Sequence, residues 1–268
     1  PMTFCATLSA LVLICRLDLR LYRSGLHNCA SLSEAGTRPV PMESRSIVRL
    51  TSWPLRRGET AVALEWPARI FVTGTDTGVG KSYVAALLSV GLAAAYWKPV
   101  QSGAERDVVW IREATGLSSE RLLPETYCLR DELSPHEAAR REGVRIEMDR
   151  LVLPAQERLV VEGAGGVMVP LNDEHLMIDL IADFALPVLV VARSELGTIN
   201  HTLLTLDQLR RRGCSVLGVV VNGPANPANC RAIADYGQAS VLAAIDRRID
   251  LSPTNVVSLF KRYFSSHG

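Results

Sequence analysis

The sequence predicts an α/β fold with a doubly wound, mostly parallel sheet. From Ala68 onward, short apolar runs alternate with segments of helical period. The apolar runs are continuous rather than alternating, so both faces of each strand are buried, as in a sheet with helices on either side. The polar motifs described below each follow the end of an expected strand, where ligands of such sheets bind.

The expected strands are Arg69–Thr73, Ala94–Lys98, Arg158–Glu162, Pro187–Ala192, Val216–Val221 and Ser240–Ala244. Between them, helices are expected at Lys81–Ala93, Asp107–Thr115, Pro135–Arg141, Leu176–Phe184, Asn200–Arg212 and Pro227–Gly237. Residues 1–66 differ: eight arginines, no lysine, five acidic residues and no steady period. They read as a poorly ordered extension ahead of a single domain spanning 67–268.

A chain of 268 residues with 48% hydrophobic and 21% charged residues has the composition of a globular protein that buries a substantial core. The net charge of +1 gives no electrostatic footprint for nucleic acid or an anionic membrane. The longest apolar stretches, Phe4–Cys15 and Tyr83–Tyr96, are too short to span a bilayer. Cys5, Cys15, Cys29, Cys128, Cys214 and Cys230 form no CxxC pair, which points to reduced thiols and the cytoplasm. Only three of the 29 basic residues are lysines, namely Lys81, Lys98 and Lys261. In so arginine-biased a chain, a lysine marks a place where a compact ammonium is needed rather than a planar fork.

The strand Ile70–Thr73 runs into Gly74-Thr75-Asp76-Thr77-Gly78-Val79-Gly80-Lys81-Ser82 and then a helix. Strand, glycine-rich loop, Gly-Lys-Ser and helix make a P-loop of the NTPase type. Backbone N–H groups at Gly78, Val79 and Gly80 would cradle phosphates, Lys81 would reach the β- and γ-phosphates, and the Ser82 hydroxyl would ligate Mg²⁺. Five residues separate Gly74 from Gly80 where the common form has four.

A second lysine, Lys98, ends the next strand and opens Lys98-Pro99-Val100-Gln101-Ser102-Gly103. Two ammonium groups at one mouth imply more negative charge than a nucleotide alone brings. Asp107 opens a helix, where it is either a cap or a metal ligand. Glu162 ends the strand Leu159–Val161 beside Gly163-Ala164-Gly165-Gly166, which is where a carboxylate for Mg²⁺ belongs.

Together these segments, with Ser134-Pro135-His136 and Leu196-Gly197-Thr198-Ile199-Asn200-His201, resemble the ATP-dependent dethiobiotin synthetase family from about Arg69 to Ala244. The resemblance implies an ATP- and Mg²⁺-dependent ligase of biotin synthesis. Such an enzyme closes a cyclic urea from CO₂ and 7,8-diaminopelargonic acid, releasing ADP and phosphate. It implies Lys81 and Lys98 at the reacting centre, and Thr77 and Ser102 on carbamate or phosphate. Ser82, Asp107 and Glu162 would form the magnesium shell, and Asn222 would contact adenine. It further implies a homodimer in which Gly197, Thr198 and Asn200 hold the carboxylate of the substrate in the partner's site. Two other readings stand beside it. A partitioning ATPase would carry a second lysine at the position of Asp76. A cobalamin-pathway ligase would need a glutaminase domain, for which little chain remains after Ala244.

Overall fold

The computed structural model describes residues 66–246 and 249–265. The expected extension therefore lies outside the described residues except for Trp66, as do Phe4–Cys15 and three of the cysteines. Six strands form one parallel sheet: β1 (Arg69–Gly74), β2 (Ala95–Trp97), β5 (Leu159–Gly166), β6 (Val188–Arg193), β7 (Val216–Asn222) and β8 (Val241–Ile245). Their order is β2-β5-β1-β6-β7-β8. A separate two-stranded parallel sheet pairs β3 (Val100–Ser102) with β4 (Tyr127–Leu129).

Seven α-helices complete the described residues: α1 (Lys81–Gly91), α2 (Asp107–Thr115), α3 (Pro135–Arg141), α4 (Met177–Phe184), α5 (Thr198–Arg211), α6 (Pro227–Gly237) and α7 (Val256–Phe264). The continuous apolar strands are explained by two cores, one on each face of the sheet. Ile70, Val72, Val160, Leu189 and Val191 join residues of α1, α2 and α7. Their alternating neighbours Phe71, Val161, Val188 and Val190 join residues of α3, α4, α5 and α6. The doubly wound arrangement thus follows from strand periodicity.

Five details depart from the sequence expectation. The first helix stops at Gly91, because Ala93 turns into the left-handed region at φ 52° before β2. The fifth begins at Thr198, two residues before Asn200, and the glycine run after Glu162 stays in strand β5. The short strands β3 and β4 carry too little apolar sequence to be read as buried strands. The last, α7, was not expected at all. Its Val256, Leu259, Phe260 and Phe264 lie on one face and pack against α1. Trp66 packs edge-on against Phe264, with ring centroids 5.4 Å apart.

Candidate functional site

The parallel sheet brings the P-loop after β1, Lys98 after β2, Glu162 on β5 and Asn222 at the end of β7 to one rim. The P-loop leaves β1 and closes on α1. Gly80, at φ 94°, caps that helix with no side-chain bond, and a Cβ there would lie 1.8 Å from Asn222 Nδ2. That amide donates to Val79 O at 2.9 Å, so the end of β7 is tied to the loop. Asn222 Oδ1 is buried with no protein partner. Opposite the loop, a Cβ on Gly166 would meet Thr75 O at 3.3 Å and one on Gly165 would meet Thr77 Oγ1 at 3.6 Å. The glycines after Glu162 therefore let two backbones approach. Gly78 sits at φ 72° at the loop's turn, and Thr77 is exposed, its amide donating to Asp76 Oδ1 at 2.7 Å.

Ser82, in the first turn of α1, is the hub of the polar cluster. Its Oγ lies 2.7 Å from Asp107 Oδ1 and 2.8 Å from Glu162 Oε1, one hydroxyl proton serving two carboxylates. Lys98 Nζ pairs with Asp107 Oδ2 and stands 3.8 Å from Glu162 Oε1. Lys81 is buried and donates to Asp76 O at 3.0 Å. Asp107 does not cap α2: the cap position is Arg106, and the Asp107 carboxylate points to Ser82 and Lys98.

The electrostatics follow from placing two cations and two anions in a dry site. Burial lowers the Lys81 pKa and the Lys98 charge adds to the fall, against the opposing pull of Glu162 and Asp107. Burial also acts to lower Lys98, but Glu162 and Asp107 outweigh it and raise its pKa, so this ammonium stays charged. Burial raises Glu162, only partly offset by Lys98 and Lys81, so its carboxylate needs cations to remain ionised. An oxygen-only donor set of one hydroxyl and two carboxylates suits a hard divalent cation that completes its shell with phosphate and water.

One contributor escaped sequence reasoning. Tyr96, fully buried on β2, donates its phenol to Glu162 Oε2 at 2.8 Å. Its spacing of two from Lys98 was the available signal, since alternate strand residues share a face. Ser102 ends β3 with its hydroxyl buried and without a protein partner.

The Gly197–His201 segment is less uniform than expected. Gly197, at φ 93°, is the cap of α5 without a side-chain bond. Thr198 turns inward, fully buried, and its hydroxyl donates to Arg193 O at 2.5 Å. Asn200 is exposed, and Leu196 is 98% exposed. Beside the P-loop lies a cleft of about 400 Å³ lined by Thr75, Asp76, Met168, Val169, His201 and Leu204 among others. In the Ser134–His136 turn, Pro135 opens α3 and Ser134 Oγ lies 3.0 Å from His136 Nδ1.

The family described as AAA domain (AAA_26) matches residues 68–255. The ATP-dependent dethiobiotin synthetase of Paramagnetospirillum magneticum is 54% identical over 66% of this chain and 86% of its own length. That of Bradyrhizobium diazoefficiens is 45% identical over 74% of this chain and 96% of its own. Among solved structures, the septum site-determining protein MinD from Pyrococcus horikoshii is similar at 13% identity and a TM-score of 0.49, over 72% of this chain and 94% of its own. With more than two thirds of each of these synthetases covered at such identity, the chain belongs to the ATP-dependent dethiobiotin synthetase family.

Proposed function

We propose that the chain performs its family's reaction, joining CO₂ to 7,8-diaminopelargonic acid with ATP to give dethiobiotin, ADP and phosphate. The observation that carries this reading is the Ser82 hydroxyl held between Asp107 and Glu162, with Lys98 paired to those carboxylates and Lys81 beside them. Phosphoryl transfer asks a protein for position and positive charge rather than for a nucleophile. The site has that composition.

An amine of the substrate adds to CO₂ and loses a proton, forming a carbamate. A carbamate oxygen takes the γ-phosphoryl group and ADP departs. The neighbouring amine then attacks the carbamate carbon, closing the cyclic urea and expelling phosphate. Lys81 and Lys98 hold the negative charge that builds on carbamate and phosphoryl oxygens. The amides of Gly78, Val79 and Gly80 cradle the phosphates. The unpartnered Ser102 hydroxyl, with Thr77 at the loop tip, is suited to the carbamate. Asn222 Oδ1, buried without a protein partner, is suited to the amino group of adenine. Ser82, Asp107 and Glu162 would hold Mg²⁺. When bound, the metal neutralises charge on the phosphates.

The same reading extends to a homodimer. The long aliphatic stem of the substrate separates its amines from its carboxylate, and the cleft between Met168, Val169 and Leu204 offers an apolar path beside the P-loop. Leu196, almost wholly exposed beside the start of α5, suits burial by a second copy. Gly197 and Asn200 would then meet the carboxylate of the partner's substrate. Thr198 would act by fixing that turn through Arg193 O. The free thiols Cys128, Cys214 and Cys230 suit the cytoplasm. Among the described residues no helix is long and apolar enough to cross a membrane.

The test is direct. Purified protein with ATP, Mg²⁺ and bicarbonate is assayed for phosphate and for a cyclic urea, with and without the diamine. Diamine-dependent release of both is expected. Phosphate release indifferent to the diamine would favour a switching ATPase instead.

A further inference from the structure

We propose that Tyr96 is a positioning residue that fixes the plane in which the Glu162 carboxylate is presented to the metal. This rests on the reading of Glu162 as a Mg²⁺ ligand. Tyr96 is the middle residue of β2, and Lys98 follows directly after the strand's end at Trp97. The parallel register sets Tyr96 against Val160, so the ring runs along β5 to Glu162 two positions on. The carboxylate is gripped from two sides. Tyr96 donates to Oε2 at 2.8 Å, while Ser82 contacts Oε1 at 2.8 Å and Lys98 stands 3.8 Å from that same oxygen.

The terminal torsion of a glutamate is broad, so nothing in the side chain itself selects one carboxylate plane. The phenol selects it. Tyr96 is itself immobilised. Its ring is fully buried among residues of α1 and α2, and its carbonyl accepts from Leu123 N at 2.9 Å. A ligand oriented by a rigid neighbour binds its metal with less reorganisation, and losing such neighbours typically costs about 10- to 100-fold in metal affinity. Lys98 cannot substitute, because it approaches the other oxygen and is shared with Asp107.

The experiment compares wild type, Tyr96→Phe, Glu162→Gln and the double variant. Three quantities are read: the Mg²⁺ concentration for half-maximal turnover, the Kd of Mn²⁺ with ADP by electron paramagnetic resonance, and the melting temperature. Tyr96→Phe should raise both metal constants by about 10-fold, with most of kcat recovered at saturating metal. In the Glu162→Gln background the same substitution should change neither constant. A lowered melting temperature with metal constants within about twofold of wild type, while Glu162→Gln weakens metal binding, would reduce Tyr96 to a packing residue. If Glu162→Gln itself leaves Mn²⁺ binding unchanged, the metal reading has failed and this inference falls with it. Should Tyr96→Phe not fold, 4-fluorophenylalanine in place of Tyr96 fills the hydroxyl's volume without its proton, and wild-type metal binding there overturns the proposal.

Discussion

Replacing Gly80 by alanine tests whether the P-loop and β7 are one mechanical unit. Two costs can be read from the structure. The backbone at φ 94° puts an L-residue in the left-handed region, a penalty of roughly 1–2 kcal/mol. The new Cβ would also stand 1.8 Å from Asn222 Nδ2, so the amide must swing away from Val79 O, its partner at 2.9 Å. Losing that bond and stranding a buried amide costs about 2–3 kcal/mol more. Gly80→Ala should therefore cost about 3–5 kcal/mol, a large part of a domain's whole stability. The two terms separate because Asn222 Cβ lies 3.9 Å from the new methyl, an ordinary contact. In an Asn222→Ala background only the backbone term remains, so the double variant should be about 2 kcal/mol more stable than the sum of the single losses predicts. Urea unfolding of the four proteins measures this. Additive losses, or a Gly80→Ala cost below about 1 kcal/mol, would refute the coupling.

Lys81→Arg keeps the charge but replaces a point ammonium with a fork, and should lower turnover by at least about 100-fold, near 2.7 kcal/mol of barrier. Turnover within about threefold of wild type would show that charge alone suffices. Tyr83 donates to Ile249 O at 2.8 Å, and burial, helped by Tyr263, Asp250 and Asp246, pushes its phenol up to about 12. A raised folded pKa means its contribution is complete below the unfolded value of 10 and is lost as pH rises through about 12. Denaturation of wild type and Tyr83→Phe should thus converge across that window, and a constant difference would contradict it. For the dimer, Lys98→Ala and an inactivating Asn200 substitution, mixed after subunit exchange, should regain about half activity per mixed dimer. No recovery would place both residues in one chain's site.

The sequence was most legible where chemistry and local structure coincide. The P-loop and Lys98 each sit at a strand-to-loop change with its own grammar, Glu162 stands out as a lone carboxylate in an apolar strand, and the fold gathers Ser82, Asp107, Glu162 and Lys98 into one cluster. What depends on register was not legible. The Tyr96 bond to Glu162 exists only because β2 lies beside β5, a neighbour distant in sequence. Nor does a motif tell which way a side chain turns. Thr198 and Asn200 stand two residues apart, yet one is fully buried and the other exposed. The helix α7 was missed because its apolar face has meaning only against α1.

The edge-on contact of Trp66 with Phe264 has a topological consequence. It places the two ends of the described domain side by side, while the reacting groups sit on the rim where the strands finish. A short linker from residue 265 back to 66 would close the polypeptide into a ring, with new termini cut in a surface turn such as that at Gly143, where an added Cβ would touch nothing within 4 Å. The order in which the elements are synthesised is then separable from the catalyst they form.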